Sequence, residues 1–179
     1  MKKIILAILF ITASSEIFAQ ALAIIESESK VQFVIKNFGL KTEGQLKGLK
    51  GAISFDPSAL NNSAFNVSVN AATIDTDNKT RDKHLRKADY FDVEQFPTIN
   101  FTSTKISKTA AGAYTAVGNL TMKGITKTIT MPFTATAVGN GYLLKSEFDL
   151  NRRDFKVGGS SLALSDNLKV MLEVKVIKP

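Results

Sequence analysis

The chemistry open to this chain is bounded by the side chains that could attack, ligate or transfer a proton. It contains one histidine, His84, and no cysteine. A thiol nucleophile, a disulfide framework, a cysteine-ligated zinc or iron–sulfur cluster and a three-histidine metal site are therefore excluded. A Ser/His/Asp arrangement would have to be built on His84, yet Gly-x-Ser-x-Gly is absent and Gly158-Gly159-Ser160-Ser161 lacks the second glycine. Asp75, Asp77 and Asp82 lie close enough together to invite a calcium-loop test. Counted from Asp75, the fifth position is Lys79, the sixth is Thr80 where glycine makes the turn, and the twelfth is Arg86 where a glutamate is needed. No catalytic residue, metal ligand or cofactor is assigned, and the chain is expected not to be an enzyme.

The net charge of +7 raises the question of nucleic acid. Most lysines, such as Lys30, Lys36, Lys41, Lys47, Lys105, Lys127 and Lys145, are spaced singly, as on a solvated strand face. The one dense basic run, Arg81-Asp82-Lys83-His84-Leu85-Arg86-Lys87, has no interleaved aromatics for base stacking, so no nucleic-acid partner is expected. At the N-terminus, Lys2 and Lys3 precede an apolar run over 4–11 and then the small-residue stretch 12–15. This reads as a secretory signal peptide over 1–19, with cleavage after Ala19 or Ala21. The run is too short to span a bilayer, so no stable membrane insertion is expected and the mature chain, 20–179, is expected in the periplasm or outside the cell. Loss of Lys2, Lys3 and Glu16 lowers the net charge to +6.

The elements that must position any site follow from the period of the apolar residues. Eight runs alternate apolar with polar: Val31, Phe33, Ile35; Ile53, Phe55; Phe65, Val67, Val69; Ile99, Phe101; Val117 with Leu120 and Met122; Ile129, Met131, Phe133; Leu144, Phe148, Leu150; and Leu168 to Val176. Alternation of this kind marks strands with one buried face. Turn signals separate them at Lys50-Gly51, Asp56-Pro57, Ala111-Gly112, Lys123-Gly124, Gly139-Asn140-Gly141 and Gly158-Gly159, and the short spacings predict antiparallel hairpins. The stretch 75–92 breaks the rhythm with charged residues, and helix formers predict a helix over 79–88, capped by Asp77 or Asn78 and followed by Pro97. As the longest connection, it is expected to cross an open end of the sheet. Eight such strands make either a two-sheet sandwich or a closed barrel.

The order and spacing of several segments resemble the YceI family of secreted bacterial proteins. The carriers are Ser29-Lys30-Val31-Gln32-Phe33-Val34-Ile35-Lys36, Gly44 with Gly51-Ala52-Ile53-Ser54-Phe55-Asp56, and Ile74-Asp75-Thr76 followed by Arg81-Asp82-Lys83-His84-Leu85. Further on stand Asp89-Tyr90-Phe91-Asp92, Phe96-Pro97-Thr98-Ile99-Asn100-Phe101, Gly118-Asn119-Leu120-Thr121-Met122-Lys123-Gly124-Ile125-Thr126-Lys127 and Leu150-Asn151-Arg152-Arg153-Asp154-Phe155. Where members commonly carry a histidine, this chain has Asn37. The resemblance implies an all-β, eight-stranded antiparallel lipocalin-like barrel with one short helix crossing an open end, and an isoprenoid-type lipid as the bound ligand.

For such a ligand the expected apolar lining is Val31, Phe33, Ile35, Phe55, Phe65, Phe101, Leu120, Met122, Phe133, Phe148 and Phe155. The expected head-group residues are Asp75, Arg81, Asp82, Asn151 and Arg152, because a helix start and planar guanidinium donors suit a phosphate or quinone oxygen. The same arginines could instead pair with Asp75, Asp82 or Asp89 and simply hold the crossing segment on the barrel. Two classes of function follow. A carrier holds a lipid in its interior for transport, storage or stress protection; a secreted structural or interaction barrel has a filled core and no ligand. Dimerisation is left open by the sequence.

Overall fold

The computed structural model describes residues 21–179, so the expected signal peptide lies outside the described residues. Period-two alternation becomes nine antiparallel strands: β1 Ala21–Ile24, β2 Lys30–Asn37, β3 Leu40–Ser54, β4 Ala64–Asp75, β5 Thr98–Ala110, β6 Ala113–Met122, β7 Ile125–Val138, β8 Gly141–Asn151 and β9 Leu164–Ile177. From β3 the pairing runs through β2, β9, β8, β7, β6, β5 and β4 and returns to β3, so eight strands close a ring. Closure gives every strand two neighbours and leaves unpaired edge where the β7–β8 ladder stops short, beyond Thr134–Val138. The expected lipocalin-like barrel is the fold observed.

The ninth strand was not expected. β1 is too short to show alternation, and it pairs with both β3 and β9, at Leu22↔Ile53 and Ile24↔Val176. It thus continues the line of β2 across a 3-10 turn, Glu26–Glu28. Where the strand is broken, side chains replace ladder bonds: Glu26 Oε1 accepts from Gly48 N (2.7 Å) and Ser29 Oγ accepts from Lys175 N (3.1 Å).

Lys50-Gly51, expected as a turn, lies inside β3. Gly51 has φ 130°, and a Cβ there would strike Asn66 O and Val67 Cα on β4. The glycine serves close backbone approach, and the register shifts between Gln45 and Lys50 are bulges that bend this 15-residue strand around the barrel. Pro132 in β7 is accommodated differently. β7 pairs with β8 only over Thr134–Val138, so the proline, which has no N–H, stands where that ladder has already ended. Ser146 Oγ bridges the gap to Pro132 O at 2.6 Å.

Strand direction fixes what each end carries. The lower end holds the loops after β3, β5 and β7. The upper end holds the β2–β3 and β6–β7 turns, the segment 76–97 and the loop before β9. The helix α1 is Lys79–Leu85, shorter than expected, with Asn78 as its cap: Asn78 Oδ1 accepts from Arg81 N at 3.0 Å. It stops at Leu85 because the chain turns back, Leu85 O accepting from Phe91 N and Arg86 O from Val93 N.

Candidate functional site

The barrel interior divides by level. At the lower end an aromatic cluster fills it: Phe55 stands 5.1 Å from Tyr114 and 5.2 Å from Tyr142, ring to ring and edge-on, and Phe133 stacks on Tyr114 at 5.3 Å. Such ring pairs add about 0.5–1.5 kcal/mol each beyond their burial. Above this floor lies a cavity of about 430 Å³ whose lining reaches the upper end at Asn37, Arg81, Ser161 and Leu164.

Nine of the eleven expected apolar residues line it: Val31, Phe33, Ile35, Phe65, Phe101, Leu120, Met122, Phe133 and Phe148. Phe55 and Phe155 do not. Phe55 follows the last residue of β3 and so belongs to the floor, because alternation fixes the inward face and not the level along the axis. Phe155 ends a 3-10 turn, Arg152–Phe155, that leaves the wall after β8, and it is buried where that turn packs against β7 and β9. Lining residues outside the expected set include Leu46, Leu49, Met131, Val170 and Leu172 on strands, and Leu85, Tyr90 and Phe91 from the crossing segment. Val170 and Leu172 belong to an alternating run visible in the sequence, whereas Tyr90 and Phe91 follow no strand period.

The lumen stays open at Phe33 because its ring lies across Gly44, its direct partner on β3. Any Cβ at Gly44 would collide with that ring and force it off the wall.

The crossing segment is clamped to β4 by its own polar groups. Asp82 is buried and its Oδ1 accepts from Thr76 N (2.9 Å) and Thr76 Oγ1. Arg81 donates from Nε to Thr76 Oγ1 (2.7 Å) and from Nη2 to Thr76 O (2.6 Å). Arg86, which the sequence did not single out, donates to Ala72 O (2.7 Å) and Ile74 O (2.6 Å). Asp75 is outside the cavity lining; it accepts from Gln45 Nε2 and Asp77 N, and the Gln45 hydrogen bond, then that of Asp77, holds its carboxyl below the usual range.

Arg152 reaches the cavity wall, but its five N–H groups are all donated within the protein. They go to Ser165 O, Val157 O, Gly159 O, Leu164 O and Asp166 Oδ1, over 2.7–3.3 Å. Asn151 Oδ1 accepts from Arg153 N and caps the 3-10 turn. Neither arginine pairs with Asp75, Asp82 or Asp89 as expected: Arg81 ties the crossing segment to Thr76, just after β4, whereas Arg152 holds the loop before β9 and pairs with Asp166. Proximity in sequence does not show that the loop following Arg152 turns its carbonyls toward the guanidinium, as it does at Val157, Gly159 and Leu164. Of the expected head-group residues, Arg81 alone both lines the cavity and faces a shallow outer depression formed with Asn78, Thr80, Lys83, His84 and Lys87. That depression has cationic groups and no carboxylate among its walls.

Among the described residues no three His, Asp or Glu side chains converge as a metal site, and no helix is long and apolar enough to cross a membrane.

A family model described as YceI-like domain matches residues 22–176. A UPF0312 protein of Yersinia enterocolitica is 32% identical over 155 residues, covering 83% of this chain and 80% of that one. A UPF0312 protein of Serratia proteamaculans is 31% identical over 157 residues, with the same coverage. Among solved structures, Burkholderia cenocepacia BcnA superposes with a TM-score of 0.81 at 24% identity, covering 85% of this chain and 98% of that one. A polyisoprenoid binding domain from Saccharophagus degradans, implicated in plant cell wall breakdown, superposes with a TM-score of 0.72 at 14% identity, covering 90% and 99%.

Proposed function

The chain belongs to the YceI-like domain family, and from that membership we propose that it is a lipid-binding protein whose barrel holds a long apolar molecule of isoprenoid type, such as a polyprenyl phosphate or an isoprenoid quinone. The observation that carries this reading is the cavity of about 430 Å³ walled by Phe, Leu, Ile, Val and Met side chains above a closed aromatic floor. A volume in that range, with few polar groups, is what a small-molecule site presents. The structural neighbour whose description names polyisoprenoid binding supports the same class of ligand. Removing roughly 0.8 kcal/mol of apolar exposure per CH₂ makes each five-carbon unit worth about 3–4 kcal/mol before the entropy of ordering the chain is subtracted.

The tail lies against Phe33, Phe101, Phe133 and Phe148, and the polar end points to the upper mouth. There Arg81, with two of its nitrogens on Thr76, keeps Nη1 for a phosphate or carbonyl oxygen, beside His84, Lys83 and Lys87. The role is that of a binding protein without catalysis, for transport, storage or stress protection in the periplasm or outside the cell.

Mass spectrometry of the organic extract of protein purified from its own cells tests the reading. A stoichiometric isoprenoid or other long-chain lipid is expected, and it should be lost when Ile129→Trp fills the lumen. Native protein that yields no lipid and takes up none would leave the filled interaction barrel as the better account.

A further inference from the structure

We infer that the upper rim beside the cavity mouth is a docking surface for a lipid bilayer with anionic headgroups. Four large hydrophobic residues are exposed among the described residues, and three of them, Phe38, Leu40 and Leu162, stand together at this rim. Phe38 is 79% and Leu40 74% exposed, and Leu162 is wholly exposed. Phe38 N donates to Ala163 O at 2.8 Å, which ties the β2–β3 turn to the loop carrying Leu162. Just behind this tie Asn37 pairs with Leu164, and both residues line the cavity. The apolar tips thus stand immediately outside the upper end of the cavity lining.

Local stability does not account for these residues. Phe38 and Gly39 occupy a two-residue turn with φ 50° and 77°, a left-handed pair in which asparagine and glycine are the favoured residues. A bulky aromatic with positive φ is an outlier, and here it gains no burial in return. Directly below, Lys36 and Lys41 face each other across the strands, a like-charge pairing that weakens a sheet. Among the described residues neither has a carboxylate within ion-pair distance.

Apolar tips projecting above unpaired lysines are the arrangement of an interfacial anchor, in which rings and aliphatic groups enter the headgroup layer while cations meet anionic lipid. A second copy of the chain fits less well, because a two-fold contact over this patch would bring four lysines together. Docking here is peripheral and goes beyond the ligand reading; it would place the mouth against the store of apolar molecules.

The test is co-sedimentation of protein, in the form its own cells accumulate, with vesicles of equal parts phosphatidylglycerol and phosphatidylcholine and with phosphatidylcholine alone. The parent should bind the anionic vesicles. Phe38→Asn combined with Leu162→Ser should weaken that binding by about tenfold or more, as expected for removing two interfacial side chains, with no fall in the urea midpoint. Lys36→Glu with Lys41→Glu should weaken binding to anionic vesicles and leave phosphatidylcholine binding unchanged. Failure of the parent to bind, equal binding by the Phe38/Leu162 variant, or a dimer in sedimentation velocity that these substitutions dissociate would each overturn the inference. Lipid extraction from the same preparations separates the two proposals: docking without retained lipid sinks the ligand reading alone, and retained lipid without docking sinks this one alone.

Discussion

Replacing Arg152 by Ala separates anchoring from ligand recognition. The guanidinium is 5% exposed and donates all five of its N–H groups, four to backbone carbonyls of 157–165 and one to Asp166 Oδ1 at 2.7 Å. Asp166 is half exposed, so its charge is resolvated when the arginine goes and the ion pair itself contributes little. The carbonyls decide the magnitude. Val157 is buried and water reaches it poorly, whereas Gly159 is exposed and recovers a partner from solvent. Losing several charge-assisted bonds, with an unsatisfied acceptor at about 1–3 kcal/mol, gives a net loss of about 3–5 kcal/mol. Urea unfolding followed by tyrosine fluorescence measures this as a fall in midpoint with an unchanged slope. Arg152→Lys should recover little, because one ammonium cannot span five acceptors. A loss under about 1 kcal/mol, accompanied by selectively weaker binding of phosphate-headed lipids, would refute the reasoning and make Arg152 a ligand contact.

Three further outcomes are expected. Phe133→Ala removes a ring packed against Phe55, Phe65 and Tyr114 and should cost about 3–5 kcal/mol in the same assay. Gly44→Leu should drive the Phe33 ring into the lumen and reduce the lipid recovered by extraction, while circular dichroism still reports a β-protein. Stability should fall on both sides of neutrality. Ser58 holds the Asp56 carboxyl, and Gln45 the Asp75 carboxyl, below the usual value of about 3.9, so their contributions are complete above that pH and are lost as pH falls through the lowered values. Glu147 raises the Lys169 ammonium, so its contribution is lost only as pH rises past about 10.4. Urea midpoints measured across pH should show both limbs, and Asp75→Asn should shrink the acid one.

The strands were legible because each buries one face, so residues such as Val31, Phe33 and Ile35 repeat with the pleat. Their level along the barrel axis was not, since alternation is blind to depth; Phe55 and Phe65 have the same pattern, yet only Phe65 reaches the cavity. Gly51 read as a turn because its sequence neighbourhood cannot reveal a second backbone, that of Asn66, lying against it. The helix over Lys79–Leu85 followed from composition and its cap from Asn78, whereas the partners of Arg152 depend on how the loop before β9 folds back. Phe38 gives no signal in the sequence, because an exposed aromatic follows no period and its left-handed φ is visible only in the folded turn.

The broken first strand has a kinetic consequence. β1 and β2 each find one of their two partners on β9, and the Ser29–Lys175 hydrogen bond joins residues 146 positions apart, whereas β2–β3 and β5 to β8 are linked by two-residue turns that zip locally. Until Leu164–Ile177 is available, β2 and β8 each keep an unpaired edge and the sheet remains an open ribbon. Contacts so distant in sequence make folding slow for a chain of this size. The ring cannot close without β9, and until it is paired the two raw edges are where a growing or unfolded chain is open to aggregation.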